Sequence, residues 1–286
     1  MEHTLSPKQN LHKAIFFMLI STVSFTVMNA TVKYLEDYTS YELVFFRSIG
    51  TFFICLFLLR KMKIPMLGNQ RKLLLLRAIA GAISMYGFFI AIKLIPFGSA
   101  VTFRYLAPIF AALFAVWFLK EKIRKIQWLF FFMSFVGVIL LKGFDMRINI
   151  PGLTSALIAA VGTGFVFILI RKIGIRDHPL VVVIYFMAVT MVSGGILSLF
   201  NWKTPSGWEW IILLNMGIVG FLGQYFMTKA FQIVETSKIA PLKYTEAVFA
   251  LLVGWLWFDE SYTAVAAVGI LLIIAGMVLN VVVRSE

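Results

Sequence analysis

Charged side chains are scarce in this chain. Only 14% of its 286 residues are Asp, Glu, Lys or Arg, and 61% are hydrophobic. A soluble domain has about 25% charged and about 45–50% apolar residues, so this chain has too few polar side chains to cover a soluble core. Its long apolar runs instead predict an all-α polytopic membrane protein, with the lipid bilayer as its surroundings.

Reactive and metal-binding side chains are almost absent. The one cysteine, Cys55, excludes an intrachain disulfide, and the three histidines lie in the tail or in a loop. The apolar runs therefore offer no metal-ligand cluster and no histidine base for a nucleophile. The pattern GxxxxGK[ST] does not occur, so ATP hydrolysis by this chain is not expected. We predict no enzyme activity, no cofactor and no metal; a membrane-embedded enzyme or a scaffold is the alternative of a different class.

The net charge of +13 would suggest nucleic acid in a soluble protein. Here most of the 26 Lys and Arg residues lie in short loops between apolar runs, where they orient a membrane protein. Three basic segments are predicted to be cytoplasmic, as are both termini. They are residues 60–77, 120–125 and 171–176, and Arg77 is counted in the first of them. We expect a multi-pass protein of the inner (plasma) membrane with no nucleic-acid partner.

Ten apolar runs are long enough to cross a hydrocarbon core of about 30 Å as helices. Their approximate ranges are residues 13–35, 43–60, 72–94, 97–119, 126–142, 152–171, 179–200, 208–233, 236–258 and 263–283.

The sequence repeats itself without a gap at an offset of 139 residues. Residues 99–121 align with 238–260, so that Arg104 falls on Lys243 and Glu121 on Glu260. Five helices per half is an odd number, so the second half must be inverted, and the loop after the fourth helix is basic whereas its equivalent after the ninth is acidic. We predict two inverted five-helix repeats, residues 13–143 and 152–283. Such repeats imply alternating access, with a site near the middle of the membrane.

Two motifs carry a resemblance to a known family. RYLAPIFAALFAVWFLKE and APLKYTEAVFALLVGWLWFDE each lie in an apolar helix that closes on a Glu, and they resemble the EamA-type transporters of the drug/metabolite transporter superfamily. The family often has Glu-Pro in the second motif, where this chain has Glu246-Ala247, so that half is expected to be less kinked. The resemblance implies a secondary transporter of amino acids, other small metabolites or drugs, and favours export. Uptake or exchange of a larger metabolite such as S-adenosylmethionine is the alternative.

Four ionisable side chains within the apolar runs are candidates for the site: Arg47, Arg104, Lys243 and Glu246. A cation costs about 2.5–3.5 kcal/mol at mid-helix on insertion scales, yet Arg104 and Lys243 place one at the same position in both halves. We interpret the cations as substrate-binding groups; the alternative is that they snorkel to the interface or have a structural role. Glu246 either pairs with Lys243 or binds a proton as substrate leaves. The net positive charge favours a carboxylate-bearing or zwitterionic substrate, such as an amino acid or derivative.

Polar side chains at helix-interior depth complete the predicted substrate site. They are Asn29, Tyr86, Tyr105, Tyr185, Gln224, Tyr225 and Tyr244. Buried tyrosines also serve as packing groups that need one hydrogen-bond partner, and this is the alternative for each of them. The sequence does not indicate an oligomeric state.

Overall fold

A computed structural model describes residues 7–119, 125–144, 146–233 and 245–285. These residues form helices and no strand. The helices are α1 (Pro7–Tyr34), α2 (Ser40–Lys61), α3 (Arg71–Leu94), α4 (Phe97–Arg104), α5 (Ala107–Leu119), α6 (Lys125–Phe144), α7 (Ile150–Ile173), α8 (Pro179–Ser198), α9 (Glu209–Ile233), α10 (Thr245–Trp257) and α11 (Ala264–Ser285). Short 3-10 turns follow α7 and α8.

Six of the described helices contain a stretch long and apolar enough to cross a membrane. These stretches are Leu11–Tyr34, Ser40–Lys61, Arg71–Leu94, Ile150–Ile170, Pro179–Asn201 and Glu209–Ala230, and shorter apolar helices occur at Trp128–Leu141, Val248–Trp257 and Ala264–Gly276. The all-α, multi-pass prediction is therefore confirmed. The count of ten spans and the inverted relation of the two halves remain predictions, because residues 120–124 and 234–244 lie outside the described part of the chain.

Local sequence signals set where several helices begin. At the start of α2, the Thr39 side chain accepts from the backbone N–H of Glu42 while the Glu42 carboxylate accepts from the backbone N–H of Thr39, a capping box. Asn149 caps α7, and His178 precedes Pro179 at the first position of α8. Side-chain acceptors and an early proline both suit the unpaired N–H groups of a helix start.

The fourth apolar run is broken, and here the prediction of one continuous helix is wrong. The backbone N–H of Tyr105 donates to Thr102 at 3.0 Å and that of Leu106 donates to Phe103 at 3.0 Å, so the chain tightens into a turn after α4. Pro108 has no N–H with which to continue the helical ladder to the carbonyl of Arg104. Arg104 therefore ends α4, and α5 begins three residues later.

The packing pairs relate the two halves of the chain. α1 packs on α9 and α3 on α7, while α2 packs on α8 and α6 on α11. A Cβ added to Gly137 would lie 2.6 Å from the carbonyl oxygen of Gly269, and one added to Gly276 would lie 2.8 Å from that of Phe130. The residues of these two contacts are 139 positions apart, so α6 and α11 approach each other through equivalent positions.

Candidate functional site

One face of α3 organises the interior of the bundle. Arg77, Gly81, Met85 and Phe88 are spaced by four, four and three residues, which places them on one stripe of the helix. The stripe is about 16 Å long at 1.5 Å per residue. All four residues are buried, and three arginines lie along this face.

Arg47 reaches the middle of the stripe from α2. Its side chain is 4% exposed, and its Nη1 donates to the sulfur of Met85. Its guanidinium carbon lies 5.9 Å from the ring centroid of Phe186, on α8. Gly220 on α9 leaves room for it, because a Cβ at that position would lie 3.1 Å from the Arg47 Nε. The sequence-predicted Arg47 is thus an interior group rather than a snorkelling one.

Arg77 was not among the predicted site residues. The charge pattern assigns it to the cytoplasmic connection between the second and third runs, but the structure places it within α3 with a side chain 3% exposed. Its guanidinium carbon lies 4.4 Å from the ring centroid of Phe186. The loop assignment is therefore wrong, because α3 begins at Arg71 and turns this side chain inward one helical turn before Gly81.

Arg104 lies at the other end of the stripe. It closes α4, is partly exposed, and its guanidinium carbon lies 4.3 Å from the ring centroid of Phe88. A cation at the last residue of a helix interacts favourably with the helix dipole. The break after α4 therefore suits a positive charge at this position.

Arg47, Arg77 and Arg104 together form a cluster that we call the arginine column. Arg47 is repelled by both of the others. None of the three has an acidic partner among the residues that the structure describes. The Nε of Arg47 and the Nε and Nη1 of Arg77 are buried without a hydrogen-bond partner. Buried unpaired donors of this kind are unfavourable, so the column has the character of a binding site for negative charge.

Glu246 and Asn29 meet between α10 and α1. The Asn29 amide nitrogen donates to Glu246 Oε1 at 3.1 Å, and both side chains are buried. The Asn29 amide oxygen is buried without a partner, whereas Glu246 has a further interaction. Lys243 and Tyr244 lie outside the described residues, so the predicted pairing of Glu246 with Lys243 stays a prediction.

The predicted tyrosines and glutamine take separate places. The Tyr86 hydroxyl is 2.7 Å from the hydroxyl of Ser193. That of Tyr185 donates to the carbonyl of Leu67 in the α2–α3 connection, so it is used at a bundle end. The ring of Tyr225 stacks on Phe221 with centroids 5.4 Å apart. Tyr105 is buried in the break after α4, and Gln224 is buried in α9.

Glu260, which ends the second motif, caps the broken helix. Its carboxylate accepts from the backbone N–H of Phe97, the first residue of α4, and from the hydroxyl of Tyr262 at 2.7 Å. Burial raises the pKa of Tyr262, and the negative charge of Glu260 and its hydrogen bond with the hydroxyl raise it further. This motif residue therefore fixes the start of the helix that ends at Arg104.

Two apolar grooves lie at the periphery of the bundle. One, of about 760 Å³, is lined by residues of α2 and α8 that include Phe45 and Met191. The other, of about 580 Å³, lies between α1, α9 and α10 and includes Asn215 and Trp257. Neither is lined by a residue of the arginine column. Both linings are mainly apolar, which suits lipid or another apolar group better than a polar solute.

The long apolar helices, with Arg47, Arg77 and Glu246 buried among them, define a multi-pass membrane protein. The model of the EamA-like transporter family matches residues 12–142 and 150–282. The chain belongs to this family, which confirms the resemblance carried by the two motifs.

Three relatives carry the names of transporters or solute carriers. The chain is 32% identical to a pseudopaline exporter of Pseudomonas aeruginosa over 94% of this chain and 96% of that one. It is 27% identical to solute carrier family 35 member G1 of Homo sapiens over 92% and 77% of the two chains. It is also 27% identical to an S-adenosylmethionine uptake transporter of Rickettsia felis, over 86% and 84%. These names are those of small-molecule transporters and not of enzymes.

A solved crystal structure shows the same fold. It matches with a TM-score of 0.69 over 97% of both chains, at 16% sequence identity. This likeness shows the architecture alone.

Proposed function

We propose that this protein is a secondary transporter of a small carboxylate-bearing or zwitterionic metabolite, such as an amino acid or a derivative, and that Arg47 and Arg104 hold its anionic group. The observation that carries the proposal is the arginine column. The guanidinium groups of Arg47 and Arg104 contact rings and a sulfur atom rather than acids in the described residues. A bound carboxylate supplies the missing partner, through charge-assisted hydrogen bonds worth about 1.5–3 kcal/mol, and an arginine can hold it bidentately.

Alternating access between two inverted repeats is the proposed transport cycle. The packing of α1 on α9 and of α3 on α7 supports it, because these contacts cross from one half of the chain to the other. The broken helix supports it as well, since discontinuous helices form the substrate sites of many transporters built from inverted repeats. Arg104 stands at such a break.

Export is the proposed direction, supported by the exporter among the relatives. Uptake of S-adenosylmethionine, the activity named for another relative, is the second candidate. S-Adenosylmethionine carries a carboxylate but also a sulfonium and an ammonium group, and its net positive charge is repelled by the arginine column. The column therefore favours a more anionic substrate. The inner membrane as location and cytoplasmic termini belong to the same proposal.

Two roles are proposed for Glu246, and they differ in whether a proton is the coupling ion. Glu246 is a buried carboxylate that either ties α10 to α1 through Asn29 or takes up a proton during the cycle. The contact with Asn29 supports the structural role.

A ligand screen followed by flux measurement tests this proposal. Purified protein is heated with panels of anionic, zwitterionic and cationic metabolites, because a ligand that binds the folded state raises its apparent stability. We expect stabilisation by carboxylates, followed by flux of the same compound into proteoliposomes. Stabilisation without flux would indicate an enzyme or a scaffold, and stabilisation only by cationic compounds would contradict the anionic site.

A further inference from the structure

The placement of Arg77 bears on the substrate itself. Arg77 and Arg47 come from different helices, yet both guanidinium carbons lie within 6 Å of the centroid of one ring, that of Phe186. The two charges are therefore no more than about 10 Å apart. Both side chains are more than nine-tenths buried, and both have buried nitrogen atoms without a hydrogen-bond partner.

The side chains that contact the two cations are apolar. Phe186 and Met85 are each 6% exposed, and they contact the two guanidinium groups between them. Gly81 admits the ring, since a Cβ there would lie 3.0 Å from Phe186 Cε2 and 3.6 Å from Arg77 Nη1. Two cationic groups that share one aromatic ring, with a thioether beside Arg47, complement two anionic groups joined by a short apolar chain.

We propose that Arg77 forms a second anion subsite and that the preferred substrates carry two carboxylates joined by a few carbon atoms. This inference rests on the proposed function, in which Arg47 and Arg104 hold the first anionic group. A purely structural Arg77 would need a partner that repays its burial, because an isolated buried charge is strongly unfavourable. The described structure gives it one aromatic ring, while its Nε and Nη1 stay unpaired.

Matched pairs of acids and their amides isolate the second carboxylate. The probes are glutarate with its monoamide and L-glutamate with L-glutamine, titrated against the purified full-length protein by thermal shift at pH 7. For the wild type we expect each two-carboxylate probe to bind at least about tenfold more tightly than its amide. This ratio corresponds to the loss of one charge-assisted hydrogen bond when the second carboxylate becomes an amide. In the Arg77→Met and Arg77→Gln variants, the acid and its amide should bind with about equal affinity.

Stability without ligand provides a second readout. Methionine keeps an unbranched chain beside Phe186 and removes the buried charge, so Arg77→Met should melt at or above the wild-type temperature. An Arg77 with a structural role would make this variant melt lower, with the acid-over-amide preference intact. Arg60→Gln, at the exposed end of α2, is the matched control and should change neither readout.

The outcomes separate this inference from the proposed function. Equal binding of acid and amide to the wild type, no binding of either pair, or a preference that survives in both Arg77 variants would overturn the second subsite. A second result would leave the carboxylate site supported and contradict only the second subsite. In that result, Arg47→Gln weakens the binding of every probe that the wild type binds, but the wild type binds acid and amide equally well. If the bound probes are indifferent to both Arg47→Gln and Arg104→Gln, the proposed function itself is contradicted.

Discussion

The guanidinium carbon of Arg47 lies 5.9 Å from the ring centroid of Phe186, and the two residues are 139 positions apart in the sequence. Each fits over a glycine: Arg47 over Gly220 and Phe186 over Gly81, which are also 139 apart. Equivalent positions of the two halves therefore meet in the bundle interior, with a cation on one side and a ring on the other. A second cation at position 186 would repel Arg47, whereas the ring attracts it through its quadrupole.

Replacing Glu246 by Gln should lower stability modestly and leave energy coupling unchanged. The Gln side chain still offers an oxygen to the Asn29 amide, but it lacks the charge that strengthens the bond. We expect a lower melting temperature and a flux whose response to a pH gradient matches that of the wild type, measured in proteoliposomes. A well-folded Glu246→Gln variant that transports but ignores the gradient would show instead that Glu246 carries the proton.

Replacing Glu260 by Gln should destabilise the start of α4. The carboxylate accepts from the first N–H of that helix and from Tyr262, and weakening charge-assisted bonds of this kind costs about 1–2 kcal/mol. Asp259→Asn is the control, because Asp259 is the exposed neighbour. The measurement is thermal melting in detergent. Equal melting of the Glu260→Gln variant and the control would refute a capping role.

Replacing Gly50 by Ala should force α2 and α9 apart. A Cβ at position 50 would lie 2.8 Å from the Cα of Gly217, closer than two such atoms can approach. Overpacking of this kind costs about 1–3 kcal/mol. Gly195→Ala is the control, since its Cβ meets only the Phe45 ring at 3.3 Å, which can shift. The account predicts a lower melting temperature for Gly50→Ala than for Gly195→Ala; the reverse order would contradict this packing.

The cap at His178 should make stability depend on pH. Burial and, to a smaller extent, the charge of Lys229 lower the pKa of His178 below its ordinary value of 6.5, and its Nδ1 accepts from the backbone N–H of Leu180 at 3.3 Å. The folded state therefore binds fewer protons than the unfolded state. The stabilisation that neutral His178 gives to the folded state is fully present above about pH 6.5. It is lost as the pH falls through the lowered folded-state pKa.

Melting curves between pH 8 and pH 5 check this dependence. His178→Asn keeps a capping acceptor that does not titrate, so this variant should lose less stability than the wild type over the acidic part of the range. Identical pH profiles would show that protonation of His178 has no effect on folding.

Several features of the fold follow from sequence alone, because long apolar runs leave few alternatives to membrane helices. The third run was expected at residues 72–94 and α3 spans Arg71–Leu94. The absence of a proline from the second motif implies a kink in the first, whose Pro108 cannot donate to the residue four positions earlier, but a full break after Arg104 is not predicted. A proline within an apolar run predicts a break or kink even where hydropathy continues through it.

The site was only partly predictable. Arg47 and Arg104 stand out as charges within apolar runs, whereas Arg77 belongs to a basic segment and is counted with the loop charges. The helical spacing of Arg77 to Gly81 and Met85 would have placed it on an interior stripe. The role of Phe186 could not be predicted, because contact between an arginine and a ring on another helix depends on how the helices pack. Lys243 remains a predicted site residue.

Substrate binding by Arg47→Gln and Arg104→Gln variants tests the central claim most directly. The measurement is the affinity and proteoliposome flux of a carboxylate that stabilises the wild type, with Arg60→Gln as the control at an exposed arginine of α2. The account predicts that Arg47→Gln and Arg104→Gln each fold and bind the carboxylate about ten- to a hundredfold more weakly than the wild type. This loss of affinity corresponds to one charge-assisted hydrogen bond. Arg104→Lys should recover only part of the affinity, because lysine lacks the planar fork of arginine. Wild-type affinity and flux in both folded Gln variants would contradict the claim that these arginines hold the substrate.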